Sequence, residues 1–369
     1  MPGVMTVGAS TRLDRARTIV RELELDGLLV SRPAAKRWLS GFILQAGEEM
    51  TSGYSGTLLV TGEAQLVLAD GRYVEQASGE CPGWEVRRTS ARIEGEVPTL
   101  AAKLGVARLG AEARVLSHAH WAAIEAAGLE LIPVDEPLAA LRLVKDADEV
   151  AATERACALT DRCFAHLLDF VRPGMAEREV AWELEGWFRA NGAEALAFEP
   201  LVLVGARAAM PHGRPSDAKV ATDQVLLIDF GCQVDGYRSD MTRTIFLSAP
   251  DAETRRRYEA VQQAQELAFE AAAPGVIGSD LDRIAREHLA SVGLGEAFAH
   301  GLGHGIGLET HEAPLLKDWH RPLETGMVFT LEPGVYLPGE IGIRIEDDIH
   351  LSDAGPRRLT ETPRELLVL

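Results

Sequence analysis

The sequence predicts an α/β (α+β) protein of two domains, a mixed-sheet domain followed by one built from two similar helix-plus-hairpin halves. Three observations carry this reading. Apolar runs of strand and of helix spacing alternate over residues 1–143, as a mixed sheet with covering helices requires. The texture then changes to two long helical stretches with no Gly/Ser/Pro-rich linker before them, which sets the second domain at 144–369. Within it, an apolar strand ending in an acid, a turn and a second strand carrying another acid occur twice, each time after helical sequence. A chain of 369 residues has room for two domains of roughly 100–200 residues each.

The elements follow in order. Leu13, Ala16, Ile19, Val20 and Leu23 recur at helical spacing and predict a helix over 12–26 that ends at Gly27. A short strand over Leu28–Val30, the helix-like AAKRWL and the strands TLLVT and QLVLAD come next. His118 and His120 fall beside Trp121 on a helix without an acid partner and are read as packing or surface residues. The stretch DADEVAATERACALTDRCFAHLLDFV predicts one long helix capped by Asp146 or Asp148 and stopped by Pro173-Gly174. AEREVAWELEGWFRANG predicts a second, closing on Gly192.

Composition narrows the function. Hydrophobic residues at 46% and charged residues at 25% are ordinary for a folded domain. A formal net charge of −19 argues against nucleic acid, whose recognition needs clustered Lys and Arg. The four cysteines show no CxxC spacing and are expected as free buried thiols in a reducing cytosol. MPGVMTVGASTRLDRAR lacks the basic start and apolar core of a secretion signal, and no apolar run approaches the roughly 18 residues of a membrane span. A soluble, cytoplasmic protein is expected.

The repeated acids are candidate metal ligands. Asp235-Gly236 signals a two-residue hairpin turn, and a type I′ turn there pairs Val234 with Tyr237 and sets Asp240 opposite Gly231. Asp229 and Asp240 then share a sheet face as diagonal neighbours about 7–8 Å apart, a span that suits carboxylates reaching for metals about 3.5–4 Å apart. The competing reading makes Asp229 a strand-end cap and Asp240 an exposed strand residue, although an acid directly after Val225–Ile228 is costly to bury unpaired. Glu332 and Glu346 repeat the pattern in VFTLEPG and GIRIEDDIHL. Arg344 shares a strand face with Glu346, so the two also read as a salt bridge, while Asp347 points to the opposite face from Glu346. HGLGHGIGLETHEAP supplies His300, His304 and His311 amid glycines that let backbone approach a ligand. Neither GK[ST] nor a GxGxxG between strand and helix occurs, and HExxH is missing, so a phosphate loop and a single-zinc helix are not indicated. Four carboxylates balance two divalent cations, and an oxygen-dominated shell with one imidazole suits Mn²⁺, with Co²⁺ or Zn²⁺ as alternatives.

The motifs LLIDFGCQVDGYRSDMTRT, GHGIGLETHEAP, TLEPGVY and IRIED together resemble the creatinase/methionine aminopeptidase-like metallopeptidases of pita-bread fold. Among these they look most like aminopeptidase P and prolidase. YSGTLLVTGEAQLVLADGRYVEQA resembles the creatinase-like amino-terminal domain, and RLVKDADEV the junction to the catalytic domain. The resemblance implies two metals per chain held by Asp229, Asp240, His304, Glu332 and Glu346, with Asp240 and Glu346 bridging. It implies that Glu332 also helps activate the attacking water, and that His212 and His311 contact the substrate carbonyl. It further implies that His300 lines the proline site, that Tyr336 and Arg344 lie beside the metals, and that the chain forms a homodimer acting on proline-containing peptides. The expected reaction is hydrolysis of the bond between an N-terminal residue and a following proline, in the manner of aminopeptidase P. A prolidase restricted to dipeptides is the alternative. A metal-free creatinase-type hydrolase or a peptide-binding module is a more distant one, and methionine aminopeptidase lacks the extra amino-terminal domain.

Overall fold

The computed structural model describes residues 8–44, 54–90 and 92–369. Residues 1–7, part of the stretch read for a secretion signal, lie outside it. The chain divides into two compact units, Met1–Arg142 and Leu143–Leu369.

The first unit is a six-stranded mixed sheet of β1 (Gly27–Val30), β2 (Thr57–Thr61), β3 (Gln65–Ala69), β4 (Glu85–Arg88), β5 (Arg108–Ala111) and β6 (Glu130–Pro133), in the order β4-β3-β2-β1-β5-β6. The β1–β2 and β2–β3 pairs are antiparallel and the outer ones parallel. Helices α1 (Gly8–Glu22), α2 (Pro33–Ser40), α3 (Val74–Glu80), α4 (Ile93–Leu104), α5 (His118–Ala126) and α6 (Asp135–Ala140) accompany it. Leu29, Leu59, Leu68, Leu109 and Ile124 meet in its core. Helix α1 stops four residues short of the expected Asp26. Glu24 turns left-handed at φ 51°, and the Asp26 carboxylate accepts the backbone N–H groups of Ala107 and Arg108, both at 2.8 Å, tying the turn to β5. His120 does have an acid beside it, with Glu94 Oε2 at 3.6 Å from Nε2, and its Nδ1 lies 2.6 Å from the hydroxyl of Ser117, the N-cap of α5.

The second unit opens with α7 (Ala147–Phe170) and α8 (Glu177–Ala190). Asp146 is the N-cap of α7, accepting from Glu149 N at 2.9 Å, while the Glu149 carboxylate accepts from Asp146 N in return. The two helices pack on a sheet of β8 (Leu201–Val204), β9 (Val225–Phe230), β12 (Met241–Phe246) and β20 (Leu367–Val368), burying Leu226, Ile228, Phe230 and Ile245 against Phe164, Leu184 and Phe188. Strand alternation turns Val225 and Leu227 the other way, into the core shared with α9 (Ala252–Ala271), α10 (Gly278–Ser291) and the second hairpin, and Asp229 continues that face.

The second hairpin is β15 (Val328–Leu331) against β18 (Asp347–Ser352), in a sheet with β13 (His304–Gly305), β14 (Glu312–Leu315) and β19 (Gly355–Arg358). Each hairpin changes sheet partway along. Beyond Gly231 the first continues as β10 (Cys232–Val234) and β11 (Tyr237–Arg238), in a separate sheet with β7 (Ala195–Leu196). Beyond Glu332 the second continues as β16 (Gly334–Leu337) and β17 (Ile341–Arg344). The expected turn is present: Asp235 and Gly236 take φ of 52° and 89°, Val234 pairs with Tyr237, and Asp229 falls opposite Thr242 in the same register. Among the described residues no helix is long and apolar enough to cross a membrane.

Candidate metal centre

The acids sit where the hairpins change sheet. Asp240 lies in the break between β11 and β12, and its backbone N–H is given to the Asp348 carboxylate at 2.9 Å. Glu332 and Glu346 lie in the matching breaks after β15 and before β18, with Glu332 N bonded to Leu302 O at 2.8 Å and Glu346 N to Thr242 O at 3.1 Å. Leaving the ladder frees these side chains to turn inward. Gly231 makes the first break possible, because a Cβ there would lie 1.9 Å from the carbonyl oxygen of Ser239.

His304 enters on β13 between β14 and β15. Gly303 before it has no room for a side chain, since a Cβ would lie 2.0 Å from Thr330 O. The imidazole Nδ1 is 3.1 Å from Gly305 O, which fixes the proton on Nδ1 and leaves the Nε2 lone pair free. That Nε2 faces Glu332 Oε1 at 3.4 Å and Asp240 Oδ2 at 3.8 Å. Asp240, His304 and Glu346 each offer a ligand atom within 4.8 Å of the others.

The electrostatics of the cluster are those of a site built for cations. Burial, reinforced by Glu346 and Asp229, pushes the Asp240 carboxyl well above its ordinary range. Burial and the Glu332 charge do the same to Glu346. Burial lifts Glu332 to about 8 despite the neighbouring Arg344, with Asp229 adding to the rise. Burial holds His304 down at about 3, with His311 contributing, so the ring is neutral and able to ligate. Asp229 Oδ1 and Asp240 Oδ1 are buried with no hydrogen-bond partner among the described residues. Such orphaned oxygens are costly unless something binds them. The donor set, carboxylates with one imidazole, therefore fits divalent metal ions.

Among the described residues, Arg344 is the one Lys or Arg bonded within this cluster. It pairs with Asp229, not with Glu346 as the simple strand-face reading allowed, and reaches Glu346 through Thr242. Thr242 Oγ1 accepts from Arg344 Nε at 3.0 Å and donates to Glu346 Oε2 at 2.6 Å. Arg344 also donates to the Tyr336 hydroxyl at 2.6 Å, and that hydroxyl lies 2.8 Å from His300 Nε2. His300 Nδ1 is 2.8 Å from Gly301 O, so the direction of the chain is set: Arg344 donates to Tyr336 and Tyr336 to His300. Burial and the Arg344 charge keep His300 near 4, hence neutral.

The cavity above the cluster, about 580 Å³, is lined by all five candidate ligands together with His212, His300, His311 and Arg344. Tyr336 stands behind this lining. His311 packs edge-on against His304, ring centroids 4.1 Å apart, and burial lowers its pKa, with His212 contributing. His212 is exposed at the rim. The structure thus places the five candidate ligands, His212, His300, His311 and Arg344 around one cavity, with Tyr336 joined to it through Arg344 and His300. Thr242, Thr330 and Asp348 were not foreseen in their supporting roles. Thr330 Oγ1 accepts from His304 N at 3.1 Å and contacts Glu332 Oε1 at 3.4 Å, and Asp348 holds Asp240 from below. Asp347 faces away, as expected, into a buried pair with Arg243 at 2.6 Å.

The description "Metallopeptidase family M24" matches residues 151–353, and "Creatinase/Prolidase N-terminal domain" matches residues 12–144. A solved structure described as Xaa-Pro dipeptidase from Bacillus anthracis superposes with a TM-score of 0.91 at 36% identity, covering 98% of this chain and 100% of that one. The X-Pro aminopeptidase from Thermotoga maritima gives 0.88 at 34% identity, covering 97% and 99%. The Xaa-Pro dipeptidase of Pyrococcus horikoshii is 34% identical over 345 residues, covering 93% of this chain and 95% of its own length.

Proposed function

Since the chain belongs to metallopeptidase family M24, we propose that it is a Xaa-Pro dipeptidase, cleaving the bond between an N-terminal residue and a C-terminal proline. The observation that carries a hydrolytic metal site is the convergence of Asp229, Asp240, His304, Glu332 and Glu346 in one cavity, two of their buried oxygens without partners. Relatives named Xaa-Pro dipeptidase favour dipeptides over the aminopeptidase P type of reaction that the motifs alone suggested. The aminopeptidase reading stays as the second, because a relative of that name is about as similar.

The five residues would hold two divalent ions, Mn²⁺ foremost with Co²⁺ or Zn²⁺ as alternatives, and these would supply a water of lowered pKa and an electrophile for the scissile carbonyl. The remaining work falls to the chain. Glu332, ionised once the metals are bound, would lie on the cavity wall beside His304 Nε2, where its carboxylate is placed to take the proton released on attack and deliver it to the departing proline nitrogen. His311, neutral at pH 7, and His212 offer N–H groups to the developing oxyanion. His300, oriented through Tyr336, borders the proline side. Asp229 draws the substrate's amino group. Assembly as a homodimer in the cytoplasm belongs to the same proposal, and four free cysteines are compatible with a reducing compartment.

The test is a comparison of Xaa-Pro dipeptides with Xaa-Pro-Xaa tripeptides in the presence of Mn²⁺ and after chelation. Dipeptides should be turned over at least tenfold more efficiently, and chelation should abolish both activities. Equal or better cleavage of tripeptides would replace this reading with the aminopeptidase one.

A further inference from the structure

The proposed reaction asks His311 to meet a developing charge, and a donor of that kind helps only if it is already aimed when the charge forms. The fold gives His311 no strand to hold it. Residues 306–311 form the irregular turn between β13 and β14, where the register of the ladder shifts. The ring packs on His304, yet no hydrogen bond engages it among the described residues. Its aim therefore depends on its two neighbours in the chain, Thr310 and Glu312, and each of these is tied to a cation from elsewhere in the second unit.

On one side, Glu312 pairs with Lys145 at 2.7 Å, both side chains being buried. Breaking such a pair leaves a bare charge in the interior and loosens the fold as a whole. The other side is lighter. Arg238, half-buried at the end of β11, gives its backbone N–H to Gly307 O at 2.9 Å and so meets the start of the turn. Its guanidinium Nη1 donates to Thr310 Oγ1 at 2.7 Å and to Ala197 O at 3.0 Å, and Thr310 Oγ1 donates to the same Ala197 O at 2.9 Å. Arginine, threonine and carbonyl thus close a ring of three hydrogen bonds. Thr310, His311 and Phe198, the residue after Ala197, line the cavity, and Arg238 stands behind them.

We propose that Arg238 is a positioning residue, which fixes His311 through the Thr310 hydroxyl and Ala197 and so holds the imidazole where it can donate to the oxyanion. This rests on the Xaa-Pro reading given above and on the part that reading gives to His311. A planar, permanently charged guanidinium suits the task, because little of its freedom is lost for each bond formed. Its partners here are neutral, so removing it strands no buried charge, and the Ala197 carbonyl still accepts from Thr310.

The test measures Ala-Pro hydrolysis under saturating Mn²⁺, with bound metal by mass spectrometry and the fold by circular dichroism. Arg238→Met should lower kcat about tenfold with KM and bound metal little changed, since a small misplacement of a reacting group is costly. Thr310→Val, which removes the hydroxyl at nearly constant shape, should lose as much. Thr310→Ser, which keeps the hydroxyl, should stay within about twofold of the wild type. In a His311→Ala background Arg238→Met should cost nothing further, because its effect travels through that ring. A kcat in Arg238→Met equal to the wild type, a loss undiminished in the His311→Ala background, or a loss of bound metal in place of rate overturns the assignment and leaves Xaa-Pro hydrolysis standing. Should Arg238→Met fail to fold, the two Thr310 variants decide, and equal rates in Thr310→Val and Thr310→Ser overturn it. A wild type that cleaves neither Ala-Pro nor Ala-Pro-Ala removes the Xaa-Pro reading and this inference with it.

Discussion

At the scale of single residues, the two imidazoles that touch each other are expected to do different work. His304 has its Nδ1 committed to Gly305 O and its Nε2 turned toward Asp240 and Glu332. His311 stands edge-on to it on the cavity wall, outside the trio whose ligand atoms cluster. His304→Ala should therefore lose bound metal and, with it, activity. His311→Ala should keep metal and lose rate by about 10²–10³-fold, as removal of an oxyanion donor does. Metal content by mass spectrometry beside steady-state kinetics separates the two, and equal metal loss in both variants would void the distinction. The supporting hydroxyls belong to the same scale. Thr242 bonds Arg344 and Glu346 at once, an outer-shell role of the sort that sets ligand orientation. It was illegible in the sequence because threonine in a strand is ordinary, and only the approach of the second hairpin gives its hydroxyl two partners.

At the scale of elements, the first hairpin could be read from its turn because the determinants are local. Asp235-Gly236 both take positive φ, the I′ geometry follows, and counting back from the turn places Asp229 and Asp240. The change of sheet at Gly231 could not be read in the same way, since it depends on where β7 and β8 lie. Arg344 shows the same limit: strand periodicity put it on the face of Glu346, but the partner it takes, Asp229, comes from the other hairpin. The sheet change predicts a sharp contrast between two glycines. Gly231→Ala forces a methyl to within 1.9 Å of a backbone oxygen that cannot move without opening the hairpin. Gly236→Ala meets a positive φ of 89° at the two-residue turn, a cost on the order of 1 kcal/mol. The first should lower the melting temperature by several degrees more than the second and should reduce metal binding as well. Equal shifts in calorimetry would mean that the hairpin yields at Gly231 without cost.

At the scale of the whole molecule, the buried acids make stability depend on metal and pH together. In the absence of metal, the folded protein holds the Glu332 carboxyl at about 8 against an ordinary value of 4.5, and burial raises Asp240 and Glu346 as well. A carboxyl whose pKa is higher folded than unfolded binds its proton more tightly in the native state. Its contribution to stability is complete below the unfolded value and is lost as pH rises, for Glu332 between about 4.5 and about 8. Chelated protein should therefore melt at a lower temperature at pH 8.5 than at pH 6. The net charge of −19 acts in the same direction through general repulsion, so the two causes have to be separated. Added salt screens the diffuse repulsion while acting far less on the buried cluster. Saturating Mn²⁺ stabilises the ionised carboxylates and adds binding free energy to the native state. It should flatten the decline between pH 6 and 8.5, whereas about 0.5 M NaCl without metal should flatten it only in part. A chelated protein whose melting temperature is level across this range, or falls equally with Mn²⁺ present, would show that these acids are not held protonated in the metal-free fold.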